Sequence, residues 1–124
     1  MIDGCHVVLF SNDSDADRAF FADVLGMPNV DAGGGWLIFR LPPAELAVHP
    51  AEGPAAHELF FMCDDIEATR DELAAKGAQL TQGVSEERWG RLTRLRLPGG
   101  SEIGVYEPRH PRAIDVSDQA HTPD

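Results

Sequence analysis

Two histidines begin two similar apolar segments of the chain. His6 opens the segment HVVLFSND, and His57 opens the segment HELFFMCD 51 residues later. A neutral imidazole is the commonest side-chain ligand for metal ions, and it suits divalent zinc, nickel, iron and manganese. Two histidines at equivalent places of a repeated unit could hold one such ion between them. A histidine that only forms a hydrogen bond at the start of a strand is the alternative.

The histidine segments belong to a longer repeat, which predicts the elements that position them. Gly26 and Gly77 are also 51 residues apart, so the two halves align without a gap through a strand, a helix and a glycine. The β-branched and aromatic residues of the histidine segments favour short strands. The acidic residues that follow can cap a helix, and a glycine suits the left-handed position that ends one. We therefore predict helices over residues 15–25 and 66–76.

Each predicted helix is followed by a pattern of three short strands, which glycine- and proline-rich turns separate. The strands are expected over residues 28–30, 36–41 and 46–49 in the first half, and over 79–81, 92–97 and 103–107 in the second. In the last strands the separation between equivalent residues grows to 57, which pairs Ala47 with Gly104. The pattern predicts an α+β fold made of two βαβββ modules, over about residues 5–50 and 56–108.

The length of 124 residues accommodates one domain, which we assign to residues 1–108. Residues 109–124 have no sustained periodicity and are expected to form an extended or partly disordered tail. The chain has 10 basic and 21 acidic residues, for a net charge of −11. A nucleic acid or an anionic membrane is therefore an unsuitable partner, because no basic patch could neutralise its phosphates.

Targeting signals and cysteine pairs are not apparent in the sequence. No apolar run approaches the roughly 18 residues of a membrane span, and the first residues do not resemble a secretory signal. We therefore expect a cytoplasmic protein. Cys5 and Cys63 both lie in apolar segments, where a thiol usually behaves as a small buried hydrophobic side chain.

The order and spacing of these segments resemble the vicinal oxygen chelate superfamily, which includes glyoxalases, bleomycin resistance proteins and extradiol dioxygenases. The stretches that carry the resemblance are DADRAFFADVLGM, HELFFMCDD, AAKGA, RWG and LPGGSEIGVYEP. It covers about residues 5–108. The resemblance implies two modules that form a curved mixed-sheet cleft, with a small molecule or a metal ion bound in it. It also implies a homodimer, with the cleft formed within one chain or between two.

The same resemblance implies a set of metal ligands, of which this chain has only part. In metal-dependent members the ligands come from the first and last strands of each module, and the first-strand positions match His6 and His57. The carboxylate positions of the last strands fall on Ala47 and Gly104, which have no coordinating atom. A shift of register by one β-bulge could bring His49 or Glu45 to the ion instead.

Three functions are therefore left open. In the first, the protein is a lyase, isomerase or dioxygenase that uses a divalent ion (zinc, nickel, iron or manganese), with Glu45 or Glu102 as the group that moves a proton. In the second, it is a metal-free protein that binds or sequesters a small molecule or an antibiotic, with small residues widening the cleft and the negative charge favouring a cationic ligand. A metal-free enzyme that uses His57 or His49 as an acid–base group is a third possibility. The ligand-binding candidates facing the cleft are Trp36, Arg40, His49, Trp89 and Tyr106.

Overall fold

The first module begins with a helix that changes type halfway along its length. The structure, a computed structural model, describes residues 6–115. Helix α1 spans Ser14–Ala19, and a π-helical turn continues it over Phe20–Val24. The side chain of Asp13 caps α1 by accepting a hydrogen bond from the Ala16 amide. The chain leaves the helix at Gly26, whose φ of 65° is the left-handed conformation expected there.

In the second module, the stretch from the capping aspartate to the left-handed glycine, which contains helix α2, is one residue shorter than in the first. Helix α2 spans Ile66–Ala75, its cap is Asp65, and the left-handed glycine after it is Gly77, with φ of 89°. The capping residues of the two helices are therefore 52 positions apart, whereas the glycines that end them are 51 apart. A π-helical turn contains one more residue than the α-helix that it interrupts. The gapless alignment of the two halves is thus wrong by one residue for the segments that precede the helices, where equivalent residues are 52 positions apart and not 51.

Within residues 6–115, seven strands form two sheets. Strands β1 (Asn29–Asp31) and β2 (Leu37–Phe39) make an antiparallel pair. The other five are β3 (Phe60–Met62), β4 (Gln79–Leu80), β5 (Ser85–Glu87), β6 (Gly90–Arg96) and β7 (Glu102–Pro108). They form a mixed sheet in the order β3-β7-β6-β4, with β5 also paired to β6. Strand β3 is parallel to β7, and the remaining pairs are antiparallel.

The α+β architecture predicted from the sequence is confirmed, and the second module forms the complete βαβββ unit together with an unpredicted strand, β5. The first module departs from the prediction at both ends. Residues 7–10 and 46–49 were expected to be strands, but neither segment forms a ladder. Their apolar side chains are largely exposed; Phe10 is 93% exposed, and Leu46 and Val48 are each 89% exposed. A strand needs a neighbour for its backbone hydrogen bonds, and no described segment of this chain supplies one.

One hydrophobic core joins the two modules. Both helices lie on the same face of the five-stranded sheet and cover the side chains that alternate along β6 and β7. The buried cluster consists of Phe20, Phe21, Ile66, Leu73, Leu95, Leu97, Ile103 and Val105. Cys63 is partly buried against this cluster, as expected, whereas Cys5 lies outside the described residues. No helix within residues 6–115 is long and apolar enough to cross a membrane.

A buried carboxylate also links the modules. Asp17 of α1 is only 6% exposed, and its Oδ1 accepts a hydrogen bond of 2.7 Å from the Gly99 amide in the turn between β6 and β7. A Cβ atom at Gly99 would overlap the Asp17 carboxylate and the Ser11 hydroxyl. The turn can therefore approach the helix this closely only with glycine at this position.

Candidate functional site

The face of the five-stranded sheet turned away from the core carries a group of aromatic side chains. Successive residues of a strand point to opposite faces, so the side that faces away from the helices includes Phe60, Arg94 and Tyr106. Phe60 and Arg94 are both in register with Gly104, one on each neighbouring strand. We call this side, together with Trp89 beside it, the aromatic face.

Three rings of the aromatic face contact one another edge to face. The ring centroids of Trp89 and Tyr106 are 5.2 Å apart, and the ring of Phe60 lies 5.9 Å from Tyr106 and 6.2 Å from Trp89. Edge-to-face contacts of this kind stabilise a cluster beyond simple burial. Trp89 keeps 38% of its surface exposed, so the cluster is open to a ligand on the indole side.

The glycine beneath the rings, Gly104, leaves no room for a carboxylate side chain at this position of the last strand. A Cβ atom at Gly104 would overlap the ring of Phe60. The space that the sequence suggested would be left open by Gly104 is thus filled by an aromatic ring. A glutamate at this position would have to displace Phe60 before it could reach a ligand.

The segment over residues 109–115, which we call the C-terminal segment, packs against Tyr106. The Tyr106 hydroxyl lies 3.1 Å from Nε2 of His110, and the two rings are 6.0 Å apart. The Arg109 amide donates to the Trp89 carbonyl oxygen at 2.9 Å, which places the start of the segment beside the indole. The segment ends in a 3₁₀ turn, Ala113–Asp115. The rest of the predicted tail, residues 116–124, lies outside the described residues.

Glu45 of the first module reaches the same place. Its carboxylate accepts a hydrogen bond from the Ala113 amide, so the C-terminal segment connects the two modules. The pKa of Tyr106 is raised, mainly because burial disfavours the phenolate, and also because the negative charge of Glu45 repels it; Arg112 opposes this shift. Of the predicted site residues, the structure therefore brings together Glu45, Trp89 and Tyr106.

Arg94 is a cation of the aromatic face that lies beside the rings. It lies in the middle of β6, is half-buried, and holds its guanidinium carbon 5.3 Å from the centroid of the Phe60 ring. Within residues 6–115 its side chain makes no hydrogen bond and no ion pair. Two residues along the strand, Arg96 pairs with Glu102 at 3.7 Å. Glu102, one of the two predicted proton carriers, also accepts a hydrogen bond of 2.8 Å from the Thr81 hydroxyl.

Three of the predicted ligand-binding residues lie elsewhere in the first module. Trp36 is 63% exposed and packs under the guanidinium of Arg18 at 4.7 Å. Arg40 lines an open groove of about 600 Å³ between the end of the first helix and residues 41–43. His49 is exposed. Within the described range, no hydrogen bond, ion pair or ring contact joins Trp36, Arg40 or His49 to the aromatic face.

The two histidines that open the modules are not equivalent in the structure. Both are exposed. Since the helix caps are 52 residues apart, His6 corresponds to Glu58, and His57 lies one position earlier. Leu59 and Phe61 pack against the core. Because alternate residues of an extended segment lie on the same side, His57 falls on the core side with them, and Glu58 falls on the opposite side with Phe60. His57 lines a small pocket of about 180 Å³ with residues 7–10.

A divalent ion does not fit the side chains that the structure brings together. Within residues 6–115 no three His, Cys, Asp or Glu side chains are grouped so that they could hold one. Ala47 is exposed and has no ligand atom, and the place above Gly104 belongs to the ring of Phe60. The ligand set implied by the resemblance is therefore incomplete at both carboxylate positions.

Several residues of the aromatic face were not identified from the sequence. Phe60 could have been found, because strand alternation places it opposite Gly104 once the two strands are paired. Arg94 and Arg96 alternate with Leu95 and Leu97, a pattern that is typical of a solvated strand surface and gives no sign of a binding role. His110 lies in a stretch without periodicity, and no sequence signal indicates its contact with Tyr106.

Comparisons with known proteins agree with this architecture. The sequence profile of the glyoxalase/bleomycin resistance protein/dioxygenase superfamily matches residues 5–105. The chain belongs to this superfamily. The resemblance stated from the sequence motifs is thereby confirmed. No curated protein sequence matches the chain.

Solved structures of the superfamily have the same fold. The antibiotic-binding protein TnmS3 from a Streptomyces species superimposes with a TM-score of 0.59 at 23% identity, over 87% of this chain and 99% of that one. A lactoylglutathione lyase from Agrobacterium tumefaciens gives 0.60 at 21% identity, over 85% and 92% of the two chains. A superfamily member from Sphaerobacter thermophilus gives 0.61 at 18% identity, over 86% and 98%. Identities this low establish the shared fold and no shared activity.

Proposed function

We propose that this superfamily member binds a small organic molecule at the aromatic face, and that no resident metal ion takes part. The observation that carries the proposal is the cluster of Phe60, Trp89 and Tyr106, which covers Gly104 where metal-dependent members place a carboxylate. Ligand sites of proteins are mostly apolar and aromatic, with a few polar groups that orient the ligand. Tyr106, His110 and Arg94 are such groups here.

The known function of one structural relative is compatible with this proposal. TnmS3 is an antibiotic-binding protein, so the fold can serve binding as well as catalysis. The lactoylglutathione lyase from Agrobacterium tumefaciens shows that it can also serve a lyase. For a metal-dependent reaction in this chain, the alanine at position 47 and the glycine at position 104 offer no side-chain ligand.

Ligand titration with two tryptophan variants tests the proposal. A panel of aromatic drugs and glycopeptide antibiotics is added, and the melting temperature is followed for the wild type and for Trp89→Ala and Trp36→Ala. A ligand at one hundred times its Kd adds about 2.7 kcal/mol, which raises the melting temperature of a chain this size by roughly 10 °C. We expect this rise in the wild type and in Trp36→Ala, and its loss in Trp89→Ala.

The two tryptophans make a matched pair, because Trp36 is the more exposed and directly precedes β2 of the two-stranded sheet. A ligand whose effect disappears with Trp36 and persists without Trp89 would move the site away from the aromatic face. Metal analysis after incubation with zinc, nickel, iron or manganese salts provides the second readout. One tightly held ion per chain would contradict the metal-free part of the proposal.

We also propose that the protein acts as a homodimer, as the resemblance implies. The support is the exposed apolar surface of the first module, which includes residues 7–10 and 46–48. Exposed apolar patches of this kind are typical of protein interfaces, and segments without ladder partners can pair with another chain. The molecular mass in solution, measured by light scattering for the wild type and for Phe10→Asp, tests this. A wild type that is monomeric at high concentration would contradict it.

A further inference from the structure

We propose that the ligand of the aromatic face is an aromatic acid, and that Arg94 binds its anionic group. This inference rests on the proposed function and specifies the chemical class of the ligand. Three observations support it: the position of Arg94, the ion pairs that the other arginines of the same strand form, and the aromatic rings beside Arg94.

Arg94 differs from the other arginines of β6 in having no acidic partner among the described residues. Arg91 pairs with Glu67 and with Glu86, the latter at 3.1 Å, and Arg96 pairs with Glu102. Arg94 has no such partner within residues 6–115, and its guanidinium carbon lies 5.3 Å from the centroid of the Phe60 ring. An arginine that is half-buried beside apolar groups normally has its donors satisfied, because an unpaired polar group there is costly.

The contact with Phe60 leaves the guanidinium ready for an anion. A cation that stacks on a ring interacts through the flat face of the guanidinium, while its N–H groups point outward in the plane. Those N–H groups form a fork that matches the two oxygens of a carboxylate. On the neighbouring strand Gly104 has no side chain that could reach them. The free edge of Arg94 is therefore available to a ligand.

The rings beside Arg94 determine what else the ligand should contain. Phe60, on which the guanidinium stacks, is in edge contact with both Trp89 and Tyr106. A ligand that spans from Trp89 to Arg94 would place a flat ring against the aromatic cluster and an acidic group at the guanidinium. An aliphatic acid would leave the aromatic cluster unused, and an uncharged aromatic compound would leave Arg94 unpaired.

The net charge of −11 does not prevent an anion from binding here. Exposed charges are screened over about 8 Å at physiological ionic strength, so distant surface carboxylates contribute little at the site. Glu102, an acid on this face, is itself engaged by Arg96 and Thr81. A direct contact with a half-buried guanidinium therefore outweighs the overall charge.

Three probes with one ring system and different charges test the inference: 2-naphthoate, 2-naphthylmethanol and 2-naphthylmethylamine. Their affinities are measured by titration calorimetry at constant ionic strength. We expect the acid to bind about tenfold or more tightly than the alcohol, and the amine to bind weakest. Arg94→Gln should abolish the preference for the acid, and Arg94→Lys should restore part of it. Arg96→Gln, which removes the same charge two residues away, should keep it.

The outcomes separate this inference from the proposed function on which it rests. If the alcohol or the amine binds as tightly as the acid, and Trp89→Ala weakens them all, the aromatic face binds ligands but the anion preference is wrong. If the preference for the acid survives in Arg94→Gln with an unchanged melting temperature, Arg94 is not the anion-binding group. If none of the three probes binds, both the inference and the proposed function are contradicted. The comparison among probes on the wild type needs no variant, so it stands even if Arg94→Gln fails to fold.

Discussion

Replacing Asp17 by alanine should lower the free energy of unfolding, because it removes a hydrogen bond between the two modules. Asp17 is buried in α1 and accepts the Gly99 amide of the β6–β7 turn at 2.7 Å, across 82 positions of sequence. A hydrogen bond to a charged acceptor contributes about 1.5–3 kcal/mol. The variant also leaves the buried Gly99 amide without a partner, so the full loss is about 3 kcal/mol.

Chemical denaturation measures this loss. We expect the urea midpoint to fall with an unchanged slope, because the surface exposed on unfolding stays the same. The melting temperature should fall by roughly 10 °C, as a loss of this size implies for a chain of about this length. Asp17→Asn keeps a carbonyl oxygen for the Gly99 amide and should lose about half as much, since the acceptor is then neutral.

Asp15 provides the matched control. It lies in the same helix, pairs with Arg18 at 3.2 Å, and its side chain is 96% exposed. An exposed ion pair contributes little, so Asp15→Ala should be as stable as the wild type within error. If Asp17→Ala and Asp15→Ala unfold at the same denaturant concentration, the bond between Asp17 and Gly99 does not hold the modules together, and the argument from its burial fails.

Two further predictions concern the aromatic face. Tyr106 is the one tyrosine of the chain, so its ionisation can be followed directly by ultraviolet absorbance. Because its pKa is raised in the folded state, the unfolded chain releases this proton first, and stability should fall as the pH rises above about 10, where a free tyrosine ionises. Glu45→Gln should lower the pKa of Tyr106, whereas Glu52→Gln should leave it unchanged; equal titration curves in all three proteins would refute the role of the Glu45 charge. Gly104→Ala should cost about 1–3 kcal/mol of unfolding free energy, since its methyl group overlaps the Phe60 ring. Combining it with Phe60→Ala should cost less than the sum of the two single changes, and strictly additive losses would contradict the contact.

Local signals in the sequence correctly predicted most of the elements. Asp13 and Asp65 cap helices because a short acidic side chain can accept the free amides of a first turn. Gly26 and Gly77 end those helices because glycine adopts positive φ without strain. These preferences involve neighbours within four residues, so they can be recognised without knowing the fold.

The one-residue error in the repeat shows where local reasoning stops. Nothing in the residues of the first helix distinguishes a π-helical turn over Phe20–Val24 from a regular α-helix, because the difference is one hydrogen bond shifted along the backbone. That shift changes the partner of His6 from His57 to Glu58. A candidate pair of metal ligands was thus assigned from an alignment that only the backbone geometry could correct.

By itself the sequence determined the α+β class and the superfamily, and it predicted two members of the aromatic face, Trp89 and Tyr106. The tertiary structure decided which side chains meet them. Phe60 covers Gly104 because two strands that are 44 residues apart lie side by side, and Glu45 approaches Tyr106 because the C-terminal segment folds back between the modules. Such contacts depend on which strands pair and on where the C-terminal segment packs. Neither property can be recognised from the residues that make the contact.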